Sequence, residues 1–155
     1  MSIRICLAKE ADCELIAKMS RRLVEHDLPW TWTESRVRFH LRDRECAVIV
    51  ARSGKKAVGF AIMQFYDEHA HLNLLAVHPG YQNLGIGRRL VEWLEESART
   101  AGIFLVRLEL RAANSGGHAF YQRLGYEKTG VSPQYSDGRE DALRMTHDLS
   151  LVSAA

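Results

Sequence analysis

The chain has 155 residues, 46% hydrophobic and 26% charged, a balance that suits one soluble globular domain with a sizeable core. Its formal net charge is +2, which leaves no broad basic footprint for nucleic acid, although a local basic site for an anionic ligand stays open. No apolar run approaches the roughly 20 residues that cross a bilayer, so no membrane partner is expected.

In chain order, IRICLA (3–8) alternates like a strand, and Arg4, Lys9, Glu10 and Asp12 interrupt any signal-peptide pattern. EADCELIAKMSRRL then has helical spacing through Leu15, Ile16, Met19 and Leu23. HDLPWTW breaks that helix with a proline, and Thr33 or Ser35 caps a second one through Val37, Phe39 and Leu41. CAVIVARS and AVGFAIMQFY are β-rich runs joined as a hairpin by SGKK, and HAHLNLLAVHP is a strand stopped by Pro79. The glycine turn YQNLGIGR (81–88) opens a helix to about Ala101, followed by the strand IFLVRLELRA. NSGGHAFYQRL is a short helix stopped by Gly125, and strands near YEKTGV and DALRMTHDL flank SDGRE, whose Asp-Gly signals a turn. Residues 1–150 read as one domain and 151–155 as a frayed tail. Cys6, Cys13 and Cys46 are scattered and form no C-x-x-C pair, which argues against a disulfide framework or metal site and for a reducing cytoplasm.

The resulting order, β-α-α-β-β-β-α-β-α-β-β, predicts a mixed α/β sheet with helices on its faces. Antiparallel hairpins at each end surround a βαβ crossover whose two strands should be parallel neighbours. At the crossover a strand, a glycine turn and a helix N-terminus make an anion site, because free N–H groups and the helix dipole point at the ligand. Glycine at 85 and 87 removes a Cβ that would hold a diphosphate away. Arg88 is a cation where the dipole favours an acid, which a bound anion would explain. No G-x-x-x-x-G-K-[ST] loop is present, and Leu90 stands where a dinucleotide fingerprint needs glycine.

LLAVHPGYQNLGIGRRLVEWL, with Gln82, Gly85 and Gly87 in Q/R-x-x-G-x-G/A, resembles the acetyl-coenzyme A loop of the GNAT N-acetyltransferases. NSGGHAFYQRLGY resembles the second motif of that family at Asn114, Phe120, Tyr121, Gly125 and Tyr126. Within the family, LELRAANSGGHAFYQRLGY, DGREDALRM and LPWTWTESRVRF look like the bacterial ribosomal-protein-alanine enzymes of the RimI type. The segment VSPQYS departs from the Tyr-Tyr-Pro run common there.

The resemblance implies the GNAT fold, a sheet of six to seven strands with a central parallel splay, and acetyl-CoA as acetyl donor. It assigns the pantetheine arm and thioester to the main chain of Leu75, Ala76 and Val77. The diphosphate falls to Gln82, Asn83, Leu84, Gly85, Ile86, Gly87 and Arg88. Asn114 binds the cofactor arm or merely caps its helix, and Tyr121 protonates the leaving thiolate. Two groups compete as general base. Glu109 stands where RimI-type enzymes carry their glutamate, with an ion pair to a flanking arginine as its bland alternative. His71 stands where other members carry a Glu or His. Strict alternation puts His71, Asn73, Leu75 and Val77 on one strand face. Ser115 has no His-Asp arrangement, so direct attack of an amine is expected rather than an acyl-enzyme. The acceptor is a protein N-terminal α-amine, with a small amine, an amino acid or a lysine side chain as alternative, and a non-catalytic coenzyme A sensor as a third. A monomer or a homodimer is expected.

Overall fold

The computed structural model describes residues 2–134 and 140–151. The Asp137–Gly138 turn and the tail beyond Leu151 lie outside them. Strand β1 (Ile3–Leu7) leads through a 3-10 turn to helices α1 (Cys13–Leu23) and α2 (Glu34–Arg42). Strands β2 (Cys46–Ser53), β3 (Lys56–Phe65) and β4 (Ala70–Val77) follow, then α3 (Ile86–Thr100) and β5 (Leu105–Arg111). Helix α4 (Ser115–Arg123) and strands β6 (Glu127–Gln134) and β7 (Glu140–Asp148) complete the order, as the sequence predicts. Of the two candidate caps for α2, Thr33 is used, accepting from the Arg36 N–H at 3.4 Å.

The strands form one sheet in the order β1-β2-β3-β4-β5-β7-β6. All neighbours are antiparallel except β4 and β5, the strands joined by the α3 crossover. Both faces are covered, so β2 and β3 are apolar almost throughout. On one face α3 buries Ile86, Leu90, Val91, Leu94 and Ala98, the stripe expected of a 3.6-residue period, against Ile49, Ala61, Met63, Leu72 and Leu108. On the other face Ile16, Ala17 and Met19 of α1 and Val37 of α2 pack on Val48, Val50, Phe60, Ile62, Leu74 and Ala76. Each fully buried aliphatic or aromatic side chain of this kind contributes about 1.5–3 kcal/mol.

Two irregularities position the site. Pairing between β4 and β5 covers only Ala70↔Val106 and His71↔Arg107, so the strands part from Leu72 onward. Beside the splay, β4 carries a bulge: Met63 pairs with Leu72 and Ile62 with Leu74, leaving Asn73 as the extra residue. The bulge overturns strict alternation. Leu75 and Val77 turn to the α3–α4 face, while Leu74 and Ala76 pack under α1 and α2. His71 is therefore not on the face of Leu75 and Val77.

Candidate active site

The glycine loop grows out of the end of β4. His78 Nδ1 accepts from the Gly80 N–H at 3.1 Å, starting a 3-10 turn over Pro79–Tyr81. The Gln82 side-chain amide donates to the Val77 carbonyl at 3.0 Å, so this side chain braces the loop on the strand. Asn83 (φ 63°) and Gly85 (φ 82°) are both left-handed and turn the chain into α3. A Cβ on Gly85 would meet no atom within 4 Å, so glycine serves the backbone angle there. The first intrahelical bond runs from the Arg89 N–H to the Gly85 carbonyl at 3.1 Å. Among the described residues, the N–H groups from Asn83 to Arg88 have no protein acceptor. With the helix dipole behind them, they form the donor set that a diphosphate needs.

Two residues of this loop also have partners within the protein. Gly87 faces the protein: a Cβ would stand 3.2 Å from Phe120 Cζ and 3.4 Å from Cε1. Its smallness lets α4 close on α3, which accounts for it without a ligand. Arg88 pairs with Glu92 at 3.2 Å one turn along α3, so its charge does not require a bound anion. Leu84 is exposed and Ile86 is buried in the core.

The splay provides the next component. Among the described residues, the edge of β4 toward β5 has no strand partner from Leu72 to Val77, a stretch that includes Leu75, Ala76 and Val77. An extended amide-bearing chain can take the place of the missing strand. The side chains of Leu75, Ala76 and Val77 belong to the two cores, so any contact they offer a ligand there is through the main chain.

Asn114 is the N-cap of α4, its Oδ1 accepting from the Gly117 N–H at 2.9 Å. Tyr121 lies two turns on and is 7% exposed. Its ring meets Phe120 and Tyr126 edge-on, at 4.9 Å and 5.6 Å between centroids. Burial pushes its phenol above the ordinary tyrosine range. Such a hydroxyl keeps its proton at neutral pH and is available as a hydrogen-bond donor.

On β5, Val106 and Leu108 enter the α3–α4 core, which turns Arg107, Glu109 and Arg111 to the α1–α2 face. His71 pairs with Arg107 across β4–β5, so the two candidate bases share a face. The half-buried Glu109 makes no hydrogen bond or ion pair among the described residues. The alternative of an ion pair with a flanking arginine is not what this structure shows. Arg111 reaches instead to Asp27, at 2.5 Å, and to the Val24 carbonyl at 3.5 Å. Arg144 lies opposite Glu109 on β7, but its guanidinium donates to Ser132 Oγ at 3.2 Å. His71 Nδ1 lies 3.0 Å from Asn73 Oδ1. With that carbonyl oxygen as acceptor, Nδ1 carries the hydrogen and Nε2 keeps the basic lone pair.

The connection from α1 to α2 forms the wall beside this face, and its construction was not visible in the sequence. Buried Glu25 accepts from the N–H groups of Thr31 and Trp32, at 3.0 and 2.9 Å, and from the Thr31 hydroxyl at 2.5 Å. Asp27 ties the same connection to β5 through Arg111. Trp32 is buried beneath the Arg36 guanidinium, while Trp30 stays partly exposed against Arg21. Glu25 acts through contacts that no short motif marks, and the motif that contains Phe120 does not show that its ring meets Gly87. Among the described residues, no group of three or more His, Cys, Asp or Glu side chains is placed to hold a metal ion, and no helix is long and apolar enough to cross a membrane.

The sequence model of the acetyltransferase (GNAT) family matches residues 14–126. The ribosomal protein bS18-alanine N-acetyltransferase of Escherichia coli K12 is 34% identical over 129 residues, covering 81% of this chain and 85% of that one. The N-alpha-acetyltransferase RimI of Mycobacterium tuberculosis is 29% identical over 129 residues, covering 81% and 78% of the two chains. The crystal structure of the E. coli ribosomal-protein-S18-alanine N-acetyltransferase superposes with a TM-score of 0.83 at 28% identity, over 99% of this chain and 97% of that one. The strand gap, the donor loop at α3 and the two motifs agree with these likenesses: the chain belongs to the GNAT family and is an acetyl-CoA-dependent N-acetyltransferase.

Proposed function

We propose that this enzyme acetylates the N-terminal α-amine of a protein by direct attack, with Glu109 as general base and Tyr121 as general acid. One observation carries the assignment. An unpaired carboxylate stands on the α1–α2 face of an open strand gap, and a proton-retaining phenol belongs to the opposite face. Base and acid are thereby separated by the opening through which a group is transferred.

Acetyl-CoA, when bound, supplies an activated thioester that an amine can attack and a sulfur that leaves as thiolate. The residues present fit it: the N–H groups of residues 83–88 for the diphosphate, and the free edge of β4 at Leu75, Ala76 and Val77 for the pantetheine arm. Asn114 caps α4 through Oδ1, and its Nδ2 remains to donate to that arm. Glu109 takes the proton that an acceptor ammonium must lose before attack. Main-chain donors at the β4 edge stabilise negative charge on the acyl oxygen, each worth a few kcal/mol. Tyr121 Oη–H gives its proton to the leaving sulfur, for which the expected gain is about 10²–10⁴-fold. His71, tethered to Asn73, lines the acceptor side and is the alternative base.

The protein-terminus acceptor is supported by the bS18-alanine and N-alpha activities named for the relatives. The deciding experiment follows coenzyme A release with three acceptors side by side: peptides with free α-amines, N-blocked peptides carrying lysine, and polyamines. Preferred turnover of free α-amine peptides is expected, alanine-initiated ones first. Preference for blocked lysine peptides or polyamines would move the acceptor class. Absence of turnover on all three, with acetyl-CoA bound, would favour a sensor. We further infer a single catalytic domain acting in the cytoplasm, where Cys6, Cys13 and Cys46 stay free thiols as they are here.

A further inference from the structure

Behind Tyr121 lies a polar cluster that the transfer chemistry does not use. Glu95, on the inner face of α3, is 6% exposed. Its Oε2 accepts from the Tyr126 hydroxyl at 2.9 Å and from His147 Nδ1 at 2.8 Å. Three segments thus meet on one carboxylate oxygen: α3, the start of the chain after α4, and β7. A buried carboxylate is costly unless its lone pairs are satisfied, and an apolar trio of similar volume fills such a space without that cost. Stability alone is therefore a weak reason for this arrangement.

The geometry gives a better one. Tyr126 holds Tyr121 in two ways: its ring meets the Tyr121 ring edge-on at 69°, and its N–H donates to the Tyr121 carbonyl at 3.0 Å. Gly125 (φ 101°) lets His147 close in, since a Cβ there would stand 2.7 Å from Nε2. Helix α3 is consequently tied to α4 at two levels. Phe120 covers Gly87 near the loop, and the Tyr126 hydroxyl is fixed on Glu95 eight residues further, about 12 Å along the axis. Helix α3 presents the anion-binding N–H groups and α4 presents the phenol, so these ties set the distance between donor loop and acid.

We propose that Glu95 and His147, acting through Tyr126, are positioning residues that hold the Tyr121 hydroxyl in register with the loop at the start of α3. The inference rests on Tyr121 as the general acid. Tyr126→Phe removes one hydroxyl and keeps the ring. The variant should bind acetyl-CoA within about twofold of wild type by calorimetry, while its single-turnover rate falls on the order of ten-fold. That loss is short of the roughly 10²-fold that a 1 Å misplacement can cost. In the ligand-free protein, the Tyr121 ring signal of ¹³C-tyrosine-labelled samples should shift or broaden. In a Tyr121→Phe background the same substitution should cost less than about twofold, because the group being positioned is gone.

Should Glu95→Leu alone fail to fold, the apolar triple Glu95→Leu, Tyr126→Phe, His147→Leu leaves no unsatisfied group. It should melt at or above wild type and still show the rate loss. Wild-type turnover in Tyr126→Phe or in the triple, with an unmoved Tyr121 signal, would overturn the inference. So would an equal loss in both backgrounds. Full turnover in Tyr121→Phe itself would overturn the acid assignment first, and a Tyr121 signal that still moves in Tyr126→Phe would tell that failure apart.

Discussion

Gly87 offers a perturbation whose sign can be worked from contacts. In Gly87→Ala the new Cβ stands 3.2 Å from Phe120 Cζ and 3.4 Å from Cε1, while Val77 Cγ2 at 3.9 Å is ordinary contact. Replacing glycine by alanine inside a helix gains about 0.5–1 kcal/mol. Overpacking against a ring that must yield a few tenths of an ångström costs about 1–3 kcal/mol. The net expectation is a loss of about 1 kcal/mol, or roughly 2–4 °C in Tm for a domain of this length. In a Phe120→Leu background the obstructing Cζ and Cε1 are gone, so the same substitution should gain the helix term and raise Tm by a similar amount. The assay is a set of four thermal melts closing a double-mutant cycle, each repeated with acetyl-CoA present. The expected coupling is about 1.5–2 kcal/mol, well above the roughly 0.3–0.5 kcal/mol scatter of independent sites. Equal melting shifts in both backgrounds would refute the packing explanation. Loss of the acetyl-CoA-induced shift in the relieved double variant would restore the view that Gly87 is reserved for the ligand.

Tyr121→Phe should retain acetyl-CoA affinity and lose about 10²–10⁴-fold in single-turnover rate, and a loss below about threefold would leave Tyr121 a packing residue. Glu109→Gln keeps its volume and breaks no hydrogen bond or ion pair among the described residues, so Tm should hold while turnover collapses. Raising the pH supplies neutral amine and should shrink that defect; His71→Asn should act mostly on acceptor KM. A full-rate Glu109→Gln beside a folded but inactive His71→Asn would reverse the assignment. Gly85→Ala, forced to φ 82° in otherwise open space, should cost about 1–2 kcal/mol in the melt regardless of Phe120. Burial pushes the Asp12 carboxyl up, but the Arg52 ion pair (2.6 Å) and the Lys9 N–H outweigh it, so its pKa lies below the ordinary 3.8. The stability this provides is present above about pH 4 and is lost as pH falls through the depressed value. Asp12→Asn should therefore lower Tm at neutral pH and flatten the acid limb of a Tm-against-pH curve.

Element order and type were legible because each element carries its own local signal. The 3.6-residue stripe of α3, the apolar runs of β2 and β3, Thr33 before α2 and Gly125 after α4 act within a few residues of themselves. The glycines of the two motifs, Gly85 (φ 82°) and Gly125 (φ 101°), were legible for the same reason: a left-handed turn of this kind favours glycine wherever it is folded. Asn73 shows where local reading stops. Its strand alternates cleanly in sequence, yet pairing with β3 inserts a bulge there, and everything beyond it changes face. Only the partner strand decides that, since register is a property of two chains side by side. Glu109 was found by resemblance, but that its carboxylate is unpaired follows from Arg111 reaching to Asp27, 84 positions away in the chain. For Gly87 the sequence shows a missing side chain and not what stands beside it, which here is the Phe120 ring. Glu95 and His147 give no signal in one dimension, and the motif that contains Tyr126 does not show what its hydroxyl meets. Their chemistry exists only because α3, the end of α4 and β7 are packed onto one buried oxygen.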